Sequence, residues 1–102
     1  MISIVSQKRE GIAEHCRRLN VRRLDVFGSA VNGNFDPSRS DLDFLVEFDA
    51  SKQHDLLRRY LDLADSLEKL FERPVDLVTV ASVKNPRFRA NVEATRELVY
   101  VS

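Results

Sequence analysis

Asp25-Val26-Phe27-Gly28-Ser29, eleven residues rich in turn formers, then Asp41-Leu42-Asp43-Phe44-Leu45-Val46-Glu47: this stretch decides how the chain is read. Residues 21–27 and 41–48 are apolar enough to be strands. Residues 33–40, with Gly33, Asn34, Asp36, Pro37, Ser38 and Ser40, read as the loop between them. Side chains two apart on a strand share a face, so Asp41 and Asp43 point the same way, while Leu42, Phe44, Val46 and Phe48 take the other side and pack as core. Two carboxylates held together repel each other unless a cation sits between them. Mg²⁺ suits that position, because it takes hard oxygen ligands and often binds one or two carboxylates together with substrate phosphates. Gly28 closes the first strand and lets a ligand approach the backbone. A helical turn opening at Ser29 would offer free N–H groups and a hydroxyl to an anion. Phosphate there, beside a metal on Asp41 and Asp43, outlines a triphosphate–Mg²⁺ site.

The rest of the chain supplies a frame for that segment. Val5, Ile12, Cys16 and Leu19 recur at helical spacing and predict a helix over 6–20, slightly weakened by Gly11. Ser51 is placed to cap a helix over 52–71. In it, Leu56, Tyr60, Leu63, Leu67 and Leu70 form one apolar row, and Leu57, Leu61, Ala64 and Phe71 its neighbour. Residues 74–80 predict a third strand. Asn85-Pro86 reads as a cap followed by proline at the first helical position, opening a helix over 86–95. Residues 97–101 close the chain as a short strand. Helices alternating with strands predict an α/β (α+β) fold, a small mixed sheet of three to four strands flanked by helices. At 102 residues, one domain over 1–102 is expected. Asp76 interrupts the apolar third strand. Alone, it would be a strand-end carboxylate paired with an arginine; beside the second strand, it would complete an acidic cluster as a third buried Asp.

Composition removes several classes. Lys plus Arg and Asp plus Glu each number 16, so the net charge is zero and no direct nucleic-acid substrate is expected. No apolar run approaches membrane-spanning length, and the first eight residues do not read as a signal peptide, so no membrane association is expected. Cys16 is the only cysteine, which excludes an intramolecular disulfide or thiolate cage and points to a reducing cytoplasm.

Gly28-Ser29, Asp41-Leu42-Asp43 and a later Asp76 resemble the signature of the nucleotidyltransferase superfamily with the DNA polymerase beta-like core. The eleven residues between Ser29 and Asp41 are one more than the usual spacing, a difference a turn-rich loop tolerates. The chain length, with Ser40-Asp41-Leu42-Asp43-Phe44-Leu45-Val46 and Asn85-Pro86-Arg87-Phe88, is similar to the minimal nucleotidyltransferases (MNT proteins). These are commonly antitoxins of HEPN-domain ribonuclease toxins. The resemblance implies that Asp41 and Asp43 hold two Mg²⁺ ions and that Asp76 completes the catalytic and metal site. It implies further that Gly28 and Ser29 hold the phosphates of ATP. The implied reaction is transfer of AMP from ATP to a hydroxyl, expected to be a tyrosine, of a HEPN toxin with which the chain forms a hetero-oligomer. Size points the same way, since little chain remains for a second substrate domain. Two alternatives stand beside this: an antitoxin that neutralises by binding alone, and nucleotide transfer to a small molecule.

Other residues have plainer readings. Cys16 belongs to the core, and His15 and His54 to the surface. Arg17, Arg18, Arg22 and Arg23 form a solvated basic face or a patch for the toxin or its RNA. Arg39 either touches phosphate or offsets Asp36 and Asp41. Arg87, Phe88 and Arg89 either serve a partner or nucleotide or belong to the surface. Tyr60 and Tyr100 pack, or accept a self-modification.

Overall fold

In the computed structural model, residues 3–28, 31, 41–49, 51 and 55–102 are described. The N-terminal periodicity forms two helices, α1 (Ser3–Gln7) and α2 (Arg9–Arg18), instead of one over 6–20. The break falls at Lys8, whose N–H donates to the Val5 carbonyl. Gly11, the weak point of the helical pattern, serves packing: a Cβ there would lie 3.3 Å from Leu70 Cδ1 on the neighbouring helix. Asn20, at φ 57°, turns the chain into β1 (Val21–Phe27).

After the loop come β2 (Leu42–Phe48) and α3 (Leu56–Phe71). The cap position of α3 is Asp55, in a left-handed conformation, and not Ser51, whose backbone N–H and hydroxyl both donate to Asp49 Oδ1. Residues 52–54, which include His54, lie outside the described residues. Glu72, at φ 53°, ends α3 just before Pro74, as a residue with left-handed geometry commonly does. Then follow β3 (Val75–Thr79), a single 3₁₀ turn, α4 (Pro86–Thr95) and β4 (Glu97–Val101). Asn85 caps α4 as expected, its side-chain oxygen accepting from the N–H groups of Arg87 and Phe88.

The four strands form one sheet in the order β3-β2-β1-β4, with β2 and β3 parallel and the other pairs antiparallel. One face carries Leu24, Val26, Leu42, Phe44, Val46 and Leu77 and packs on Ile12 and Cys16 of α2 and on Leu63, Leu67 and Phe71 of α3. Burial raises the Cys16 thiol to about 12, so it acts as a small apolar core group. On α3 the buried stripe is Arg59, Leu63, Leu67 and Phe71, four residues apart. Leu57 and Leu61, expected beside the core, are 71% and 56% exposed, because the sheet meets α3 along that one stripe. Buried Arg59 donates to the carbonyls of Leu19 and Asn20, and its guanidinium lies 5.3 Å from the centroid of the Phe48 ring. Tyr60 is held by a hydrogen bond from its hydroxyl to the Leu77 carbonyl, the packing role rather than that of an acceptor. Among the described residues no helix is long and apolar enough to cross a membrane.

The opposite face carries Asp25, Phe27, Asp43, Leu45, Asp76 and Val78. It is partly covered by α4, with Phe27, Leu45 and Val92 as its buried nucleus. This is the face that bears the carboxylates.

Candidate active site

The register of the sheet places the acidic residues. Antiparallel pairing sets Phe27 opposite Asp43, and parallel pairing sets Asp43 beside Asp76. Asp43 and Asp76 therefore stand on adjacent strands and on one face, at the end of the sheet where β1 finishes and β2 and β3 begin. Asp41 lies just before β2 and is exposed, and Asp43 is half-buried. Asp76, expected to be buried by its apolar neighbours, is exposed: among the described residues β3 is an edge strand, paired only with β2.

The electrostatics are those of carboxylates crowded together. Burial, and then the charges of Asp76 and Asp41, raise Asp43 from the ordinary 3.8 to about 6. Near neutrality Asp43 is thus an ionised carboxylate under strain from its own neighbours, which a cation would relieve. Among the described residues, no group of three His, Cys, Asp or Glu side chains is gathered tightly enough to hold a metal ion alone. The donor set instead fits Mg²⁺, which completes its octahedron with substrate phosphates and water rather than an all-protein cage.

Gly28 explains how Asp43 comes to lie where it does. Its φ is +73°, and a Cβ added to it would stand 2.7 Å from Asp43 Oδ2. The missing side chain is the space the carboxylate occupies. The Gly28 N–H donates to Thr95 Oγ1 at 3.0 Å, and that hydroxyl donates in turn to the Asn91 carbonyl at 2.9 Å. The Gly28 carbonyl accepts from the Val31 N–H at 3.0 Å; the helical turn expected to open at Ser29 lies outside the described residues. Because its own N–H is engaged by Thr95, Gly28 contributes shape and not a free amide donor. Ser29, the expected phosphate ligand, and Arg39 lie outside the described residues.

Two structural partners were not legible in the sequence. Thr95 meets Gly28 across 67 positions, and nothing local marks it. Asp25 is fully buried. It accepts two hydrogen bonds from Arg23, at 2.9 and 3.2 Å, and a further one from Arg96 Nε, and Arg96 also pairs with Glu93. The Arg23-x-Asp25 half of this cluster follows strand alternation and was readable in principle. Together, Thr95 and Arg96 pin the α4–β4 junction to the end of β1. An apolar groove of about 660 Å³, lined by Phe48, Leu56, Leu57, Tyr60 and Val80 among others, opens at the opposite end of β2 and β3 and holds none of the three carboxylates.

Residues 9–99 match the model of the nucleotidyltransferase domain. The chain belongs to the nucleotidyltransferase family. This nucleotidyltransferase is 37% identical to protein adenylyltransferase MntA of Thermococcus cleftensis, over 82% of its own length and 78% of that protein's. A solved structure assigned as a minimal nucleotidyltransferase superposes with a TM-score of 0.74 at 32% identity, covering 90% of this chain and 89% of that one. The fold recurs, at a TM-score of 0.64 and 20% identity, in a complex of an MNT antitoxin with a tri-AMPylated HEPN toxin of Shewanella oneidensis. That match covers 96% of this chain and 73% of the other. The four-stranded mixed sheet with its helices is the minimal nucleotidyltransferase fold, and the chain is an enzyme of that class.

Proposed function

We propose that this nucleotidyltransferase, acting as one domain in the cytoplasm, moves AMP from ATP to a tyrosine hydroxyl of a partner HEPN ribonuclease toxin and so serves as its antitoxin. The observation that carries the proposal is the carboxylate ladder. Asp43 is seated against Gly28, in register with Asp76, and is raised to about 6 by burial and by the charges of Asp76 and Asp41. A fold that only covered a toxin would gain nothing from holding mutually repelling carboxylates together. The relatives, an adenylyltransferase and an antitoxin beside an AMPylated toxin, support the same choice of donor and partner.

In this reading Asp41 and Asp43 would hold two Mg²⁺ ions, with Asp76 completing the set. The ions would supply charge stabilisation at the attacking and leaving oxygens of an in-line displacement at the α-phosphorus. Asp76, exposed on the edge strand, accepts the proton of the incoming hydroxyl. Its exposure gives a partner's side chain direct access, where a small buried acceptor pocket would not. Gly28 holds Asp43 at the depth the phosphates require, and Ser29 binds those phosphates through its hydroxyl.

Calorimetric titration with Mg²⁺ and a non-hydrolysable ATP analogue, paired with a transfer assay, tests these roles. Asp41→Asn/Asp43→Asn should lose metal-dependent nucleotide binding. Asp76→Asn should keep most of that binding and lose transfer. Transfer retained by Asp76→Asn overturns its assignment, and metal-dependent binding retained by the double variant overturns the metal site.

A further inference from the structure

Among the described residues Phe88 is the one aromatic side chain left exposed, at 38%. It is not a stray surface ring. Phe88, Val92 and Thr95 recur at i, i+4 and i+7 and so share one face of α4. Val92 is buried against Phe27 and Leu45, and Thr95 accepts the hydrogen bond from Gly28. Phe88 extends this stripe and packs T-shaped on Phe27, with ring centroids 5.9 Å apart and planes at 75°. Phe27 is in turn the cross-strand neighbour of Asp43. The ring is therefore held on the carboxylate-bearing face, anchored on one side to the residue that borders the ladder and partly open to solvent. The Thr95–Gly28 bond ties the same helix to the turn that seats Asp43, so ring and ladder share one rigid frame.

We infer that Phe88 is the stacking platform for the base of the nucleoside triphosphate. The inference rests on the nucleotidyl-transfer reading above. A nucleotide whose phosphates lie at Asp41 and Asp43 must place its base against some nearby surface, and an open aromatic ring serves any base, because every base has a π face. Phenylalanine has no donor or acceptor, so it fixes where the base lies without reading which base it is. Loss of the ring should weaken ATP and GTP analogues alike.

The test is calorimetry on the full chain without a partner, in Mg²⁺, with a non-hydrolysable ATP analogue, its GTP counterpart and inorganic tripolyphosphate as probes. Phe88→Leu keeps an apolar contact with Phe27 and should melt like the wild type. It should bind both nucleotide analogues roughly 5- to 150-fold more weakly, the range typical of base–aromatic stacking, and tripolyphosphate unchanged. Phe88→Trp should hold or tighten nucleotide binding. The inference is overturned if Phe88→Leu binds the ATP analogue as the wild type does. It is also overturned if the wild type binds tripolyphosphate as tightly as the analogue, an outcome that leaves the transfer reading intact. If the wild type binds none of the probes, the transfer reading falls and takes the inference with it.

Discussion

Replacing Gly28 by alanine isolates the contact on which the candidate site is built. Two costs follow from the geometry. An L-residue at φ +73° costs about 1–2 kcal/mol in left-handed backbone strain. The new Cβ, 2.7 Å from Asp43 Oδ2, forces that carboxylate off its position, adding about 0.5–1.5 kcal/mol of rotamer strain. The sum is about 1.5–3.5 kcal/mol, or a melting temperature lower by roughly 6–28 °C for a domain of this size. A double-mutant cycle separates the two costs. In an Asp43→Ala background the carboxylate is gone, so Gly28→Ala should cost only its backbone part, leaving a coupling of about 0.5–1.5 kcal/mol. The assay is thermal melting of the four proteins at pH 8 without divalent metal. Strict additivity, or a Gly28→Ala variant that melts with the wild type, would refute the claim that Gly28 exists to seat Asp43. In the transfer assay Gly28→Ala should lose far more than its stability deficit explains, because the displaced group is a proposed metal ligand.

Further outcomes follow from neighbouring contacts. Asp43 is raised to about 6 against an ordinary 3.8, so between these values the folded protein holds a proton that the unfolded chain has released. Its contribution therefore makes metal-free stability fall as pH rises from about 4 to 6; melting curves of wild type minus Asp43→Asn should show that slope, with the variant ahead at pH 7. Arg96→Leu leaves fully buried Asp25 with Arg23 alone and should cost about 2–3 kcal/mol in denaturant unfolding. Arg22→Leu breaks only the exposed pair with Glu47 and should change the same measurement by less than about 0.5 kcal/mol. Thr95→Val removes the acceptor for the Gly28 N–H and should lower transfer, and Thr95→Ser should restore it.

Where the sequence was sufficient, the signal was local. Strand alternation placed Asp43 opposite Leu42 and Phe44, and the Asn85-Pro86 pair located the start of α4 because cap chemistry is written within four residues. The break at Lys8 and the open leucines at 57 and 61 escaped, since both depend on which neighbours reach the helix. Of the candidate site, the carboxylates were legible and their support was not. Thr95 and Arg96 act on Gly28 and Asp25 across about seventy positions, and no local pattern distinguishes a helix-end threonine that anchors a turn from one that faces water. Asp76 joins Asp43 because β3 pairs with β2, a condition the sequence leaves open, and its exposure follows from β3 lying at the sheet edge; strand order is not contained in periodicity.

In the proposed function the carboxylate ladder transfers AMP to a protein. Intact-mass spectrometry of the proposed HEPN partner, incubated with the nucleotidyltransferase, ATP and Mg²⁺, tests this. The expected result is a gain of whole AMP units on the toxin with the native chain and none with Asp41→Asn/Asp43→Asn. An unmodified toxin held in a stable complex would contradict transfer and leave neutralisation by binding alone.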